Sequence, residues 1–138
     1  MIERLKQGAG KQEEASFTES ENEALKKSKD FAEKARKLIE DKKGIDVVLL
    51  DISKLSSFAD YFVIATAGNI RQLITLKEEL EKGLADESTG SEYLRGTEGK
   101  AESGWLLIDA GDVIINLFLE AEREKYQLEK IWRDAGKE

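Results

Sequence analysis

Cysteine, histidine and proline are all absent from the chain, and the first two absences close off whole classes of chemistry. Without cysteine there are no disulfides and no thiol nucleophiles. Without histidine as well, zinc sites built on those two ligands and imidazole general-base catalysis are excluded. Carboxylates, lysine, serine, threonine and tyrosine remain as the groups available for chemistry. Proline averages about 5% of ordinary chains, but its absence points to no function. Long apolar runs are missing too: none approaches the roughly 20 residues of a membrane span. The opening residues, with Glu3 after Met1 and Ile2, lack a signal-peptide core. Glu3, Glu13, Glu14, Glu19 and Glu21 within the first 22 residues are the opposite of an Arg-rich transit peptide. These features predict a cytoplasmic protein with no membrane partner.

Basic residues are the minority, 22 against 29 acidic ones, for a formal charge of -7. That balance opposes nonspecific attraction to nucleic-acid phosphates or anionic lipid and suits a basic partner protein. At 138 residues the chain makes one domain, able to bury about two thirds of its unfolded surface without a metal or disulfide staple.

Residues 1–22 are polar, carry Gly8 and Gly10, and read as a flexible N-terminal extension, leaving 23–135 as the folded domain. Ser20 and Glu23 have capping-box spacing. After them Ala24, Leu25, Phe31, Ala32, Ala35, Leu38 and Ile39 recur at helical intervals to Asp41. Strands are expected at Val47–Ile52 and Tyr61–Thr66, with a turn at Ser53–Phe58 between them. Asn69 is a good N-cap for a helix striped by Leu73, Leu76, Leu80 and Leu84, through about Ala85. Asp86 to Ser103 reads as mostly loop, with a short edge strand near Tyr93–Arg95. Trp105–Ile108 and Val113–Phe118 then form a hairpin linked through Ala110-Gly111, which holds Asp109 and Asp112 at one end of a sheet. A helix over Glu120–Tyr126 and a segment Leu128–Trp132 packed on the core complete the order αββαβββα. That order predicts an α+β fold, a mixed sheet with helices on one or both faces.

Asp46, Asp51, Asp60, Asp109 and Asp112 all fall at strand ends, where two carboxylates on neighbouring strands could share magnesium in nucleotidyl transfer. The accompanying features are missing: no close Asp-x-Asp pair follows a Gly-Ser turn, and no basic residue stands ready for a triphosphate. Turn capping and partner binding are the competing roles for these acids. Ser56-Ser57 beside Asp60 lacks a base unless Lys54 is desolvated there, and reads as an ordinary turn. Ala67-Gly68-Asn69 and Gly96 to Gly104 lack phosphate-cradle spacings. Trp105, Trp132, Phe62 and Phe118 are expected in the core, whereas Tyr61 and Tyr126, whose hydroxyls need water or a partner, are candidates for an interface rim.

The stretch Asp51 to Gln72, Asp-Ile-Ser-Lys-Leu-Ser-Ser-Phe-Ala-Asp-Tyr-Phe-Val-Ile-Ala-Thr-Ala-Gly-Asn-Ile-Arg-Gln, closely resembles the opening motif of the ribosomal silencing factor family, also called RsfS, YbeB or Iojap. Trp105-Leu106-Leu107-Ile108-Asp109, then Gly111-Asp112-Val113-Ile114-Ile115, Phe118, Arg123, Tyr126, Leu128, Glu129 and Trp132, resembles its closing motif at the expected spacing. The match spans about residues 24 to 135. It implies a nucleotidyltransferase-like fold that has lost catalysis and uses no cofactor or metal. It also implies a factor that binds large-subunit ribosomal protein L fourteen, blocks joining of the small subunit and so represses translation. On that reading Asp60, Asp109 and Asp112, with Tyr61, Arg71 and Tyr126 at the rim, are the expected partner-binding residues. Two positions depart from the family pattern, Ala110 for an aromatic residue and Asn116 for a histidine. Against this binding module stand two other classes, a magnesium-dependent nucleotidyl transferase and a homodimeric scaffold pairing through an exposed sheet edge.

Overall fold

A computed structural model describes residues 1–7, 17–85 and 94–132, together with the backbone of 136–137. The elements are α1 (Ile2–Gln7), α2 (Glu19–Asp41), β1 (Ile45–Asp51), β2 (Tyr61–Ala67), α3 (Ile70–Ala85), β3 (Gly96–Glu98), a 3₁₀ turn (Ala101–Ser103), β4 (Trp105–Ala110), β5 (Val113–Leu119), α4 (Glu120–Tyr126), α5 (Leu128–Ile131) and β6 (Gly136–Lys137). The six strands form one mixed sheet in the order β3-β4-β5-β2-β1-β6. Among the described strand pairs only the central β2–β5 pair is parallel, because the chain crosses over between them through α3 and the β3–β4 limb. A mixed sheet with flanking helices is the architecture the sequence pattern predicts.

Local chemistry sets the helix starts. Thr18, two residues before the expected cap, receives the Glu21 N–H on its hydroxyl at 3.2 Å. The Glu21 carboxylate in return accepts the Thr18 N–H at 3.0 Å. Ser20-x-x-Glu23 has the same spacing, but both residues lie inside the helix. The hydrogen bond from the Thr18 backbone N–H, with the Thr18 side chain second, holds the Glu21 carboxyl pKa below its ordinary value. Asn69 caps α3 as expected, its side-chain oxygen 2.8 Å from the Gln72 N–H.

All seven residues of β2 are buried, so both sheet faces are covered. One face packs Tyr61, Val63, Ala65 and Ala67, with Val113, Ile115, Leu117, Leu106 and Ile108, beneath α2 and α3. The small Ala32 and Ala35 let α2 approach closely, and Leu73, Leu76, Leu80 and Leu84 line the α3 stripe. The opposite face packs Phe62, Ile64, Leu50, Ile114, Phe118, Trp105 and Leu107 against Leu128, Trp132 and Leu5. The Trp132 ring meets Phe62 edge-on at 5.0 Å and 75°. Removing either aromatic side chain would cost about 3–5 kcal/mol by transfer and cavity formation.

Three expectations are corrected. The edge strand falls at Gly96–Glu98 instead of Tyr93–Arg95: Leu94 and Arg95 precede it, and Tyr93 lies outside the described residues. A sixth strand adds Gly136 and Lys137 to β1 opposite Asp51 and Leu50, a pairing between distant segments that no local pattern encodes. Within the expected N-terminal extension, Ile2–Gln7 form α1, with Leu5 wholly inaccessible. Most of the remaining expected extension, residues 8–16, lies outside the described residues.

Candidate functional site

The β4–β5 hairpin turns in two residues, Gly111 and Asp112, between the paired Ala110 and Val113. Gly111 has φ of 77° at the first central position, where a tight hairpin needs a positive angle and a Cβ is disfavoured. The Asp109 side chain accepts the Gly111 N–H at 2.9 Å, so that carboxylate acts as a turn cap. The Asp112 backbone carbonyl accepts N–H groups from Asp60 at 2.7 Å and Tyr61 at 3.2 Å, tying the turn to the start of β2. Its carboxylate is exposed. A substitution at Asp112 therefore changes surface charge without removing those bonds.

Asp60 is partly buried between the turn and α2, where Ser28 donates its hydroxyl to the carboxylate at 2.9 Å. Burial, aided by the neighbouring negative charges of Asp112 and Asp51, raises its pKa above the ordinary 3.8, and the Ser28 hydrogen bond only partly opposes this. Asp51 stands at the same end and accepts the Ser53 N–H and hydroxyl at 3.0 and 2.6 Å. The fold thus gathers Asp51, Asp60, Asp109 and Asp112 at one end of the sheet. It sends Asp46, at the start of antiparallel β1, to the other. Among the described residues no three carboxylates converge as metal ligands.

The expected rim residues separate. Tyr61 is 5% exposed and belongs to the helix-covered core, which corrects its assignment to a rim. Arg71 is exposed in the first turn of α3. It follows the far end of β2, about 20 Å from the hairpin at the usual strand rise, so it does not share the acidic site. Tyr126 is partly exposed on the aromatic face, its ring 4.9 Å from that of Trp105. Ser28, which supports Asp60 from 32 positions away, carries no local sequence signal for that role, because only helix packing brings it there.

The departures Ala110 and Asn116 are internal. Ala110, 1% exposed, lines a cavity of about 120 Å³ between α2 and the hairpin, with Ala24, Lys27, Ser28, Phe31, Asp112 and Val113. Asn116, wholly buried, accepts the Trp105 indole N–H at 3.1 Å, and its Nδ2 has no hydrogen-bond partner among the described residues.

A larger crevice of about 580 Å³ opens beyond the C-terminal ends of β2 and β5, with Thr66, Gly68, Leu119 and Arg123 in its lining. Parallel strands often present a ligand site there. Its arginine is already engaged, however. Arg123 donates to Glu129 at 2.7 Å and to Thr66 Oγ1 at 2.8 Å, and among the other lining residues Asp46, Glu120 and Glu124 outnumber the one remaining cation, Lys130. The crevice is ill suited to a triphosphate.

The chain matches a family model described as ribosomal silencing factor during starvation over residues 25–138. It is 38% identical over 96 residues to the ribosomal silencing factor RsfS of Bacillus subtilis, covering 70% of this chain and 79% of that one. It is 30% identical over 95 residues to the mouse protein named mitochondrial assembly of ribosomal large subunit protein 1, covering 69% of this chain and 42% of that one. A crystal structure of a Chromobacterium violaceum protein superposes with a TM-score of 0.71 at 32% identity, over 76% of this chain and 85% of that one. The name ribosomal silencing factor describes a regulatory role rather than a catalysed reaction, in keeping with a non-enzyme.

Proposed function

Because the chain belongs to the ribosomal silencing factor family, we propose that it binds the large ribosomal subunit in the cytoplasm through ribosomal protein L fourteen. Seated there, it blocks association with the small subunit and represses translation. The observation that carries the reading is the acidic end of the sheet, where exposed Asp112 and partly buried Asp60 are held by backbone hydrogen bonds. A rigid negative surface suits a basic ribosomal protein and fixes register, and a steric block needs no catalytic group. Asp60, Asp109 and Asp112 are the proposed contacts, with Tyr126 farther round on the aromatic face. A homodimer through a sheet edge is the weaker reading, since β6 covers the Leu50–Asp51 end of β1 and the opposite edge strand, β3, has three residues.

Sucrose-gradient sedimentation with purified subunits tests it. The protein should travel with the large subunit alone and, when saturating, reduce formation of joined ribosomes. No comigration, or undiminished joining, would overturn the reading.

A further inference from the structure

Helix α1 has six residues, well short of the roughly 12–15 that an isolated helix needs to persist in water. Docking must hold it. Its one fully buried side chain, Leu5, enters the second core cluster, and the Leu5 carbonyl accepts the Trp132 indole N–H at 3.1 Å. The basic residues on either side lie over aromatic rings. The Arg4 guanidinium carbon is 4.5 Å from the Phe58 centroid, and Lys6 Nζ is 4.6 Å from that of Tyr126 and 5.7 Å from that of Trp105. At the other end the Ile2 N–H donates to Glu98 at 3.2 Å. The docked segment is outside the family-matched residues 25–138, whereas Phe58, Trp105, Tyr126 and Trp132 are all inside them. The matched domain therefore builds an aromatic groove that a separate segment fills.

We infer that α1 is an exchangeable, intramolecular ligand of this groove. It excludes a partner segment of its own chemistry, a short helical stretch of a basic protein that presents a leucine flanked by cationic side chains. Three features make exchange feasible. The helix has little intrinsic stability. One apolar side chain provides its fully buried contact, and its cationic contacts are ones that a basic partner reproduces. Tethering supplies α1 at millimolar effective concentration, so a free segment must bind more strongly or α1 must first be released. Release would uncover a contiguous aromatic surface of the kind that marks a binding site. The inference concerns the aromatic face and does not require the acidic end of the sheet to bind the ribosome.

The experiment uses the full chain, its Leu5→Asp variant and a synthetic peptide of residues 1–7, followed by tryptophan emission and acrylamide quenching. Leu5→Asp should give red-shifted emission and greater quenching while circular dichroism stays native. The peptide should reverse both changes and bind this variant about ten-fold or more tighter than the parent, whose tethered copy competes. A peptide carrying the same leucine-to-aspartate change should not bind. Should Leu5→Asp fail to fold, the Arg4→Glu, Lys6→Glu double variant, which keeps the leucine, takes its place with the same expected direction. Equal peptide binding by parent and folded variant overturns the inference. So does unfolding of both variants, which would make α1 an obligatory part of the core.

Discussion

Trp132 donates its indole N–H to the carbonyl of Leu5, at 3.1 Å and across 127 positions of sequence. The bond closes the second core by joining the first helix to the last, and it gives the opening residues a measurable share of the fold. Deleting residues 1–7 removes a fully buried leucine and uncovers an indole, and should lower stability by about 2 kcal/mol. Urea denaturation of the full and shortened chains checks this. Equal midpoints would mean that α1 contributes nothing.

Trp105 is 3% exposed and stacks between Phe118 at 4.7 Å and Tyr126 at 4.9 Å. Trp105→Ala should cost about 3–5 kcal/mol, and it also leaves the buried Asn116 side chain without its indole donor. Thermal melts followed by circular dichroism should show a drop of ten degrees or more, on the order expected for this size of domain.

Asp112→Lys should separate binding from folding. The Asp112 backbone, not its carboxylate, holds Asp60 and Tyr61 in place, so the melt should match that of the parent. Like charge set against a basic partner should weaken large-subunit binding by several kcal/mol. Normal binding, or an unfolded variant, would remove this acid from the proposed interface.

Asp60 links stability to pH. Its folded pKa is raised, by burial first and by the charges of Asp112 and Asp51 second. The folded state therefore holds its proton more tightly than the unfolded chain does. The contribution is favourable below the ordinary value of 3.8 and is lost as pH rises through the raised folded value, above which a desolvated negative charge remains. Asp60→Asn, whose side-chain oxygen can still accept from Ser28, should be more stable than the parent at neutral pH and lose that part of the pH dependence. Chemical denaturation at pH 3.5, 5 and 7 measures it. A parent–variant gap that does not grow with pH in the direction stated would count against a raised pKa.

Release of the Trp105 hydrogen bond tests the buried amide. Asn116→Leu removes an amide nitrogen that has no partner among the described residues but orphans the indole N–H, and leaving a buried donor unmade costs about 1–3 kcal/mol. Net destabilisation in urea is expected. A gain in stability would show that the unpartnered Nδ2 was the larger penalty.

The elements legible in the sequence were those whose signals are local. Asn69 announced α3, and the leucines at 73, 76, 80 and 84 announced its buried stripe, because capping and 3.6-residue periodicity are properties of neighbouring residues. Gly111 and the flanking apolar runs announced the hairpin, and with it the placement of Asp109 and Asp112, for the same reason. Tyr61 shows the limit. Its hydroxyl suggested a rim, but only the covering of both sheet faces decided that the whole side chain is buried. The parallel pairing of β2 with β5 set Asp60 beside Asp112, the packing of α2 brought Ser28 to Asp60, and the antiparallel course of β1 and the far end of β2 carried Asp46 and Arg71 away. The docking of Leu5 under Trp132 was likewise decided by tertiary structure. A short polar helix has no stability of its own to betray it, and its energy comes from a surface assembled by residues more than fifty positions distant.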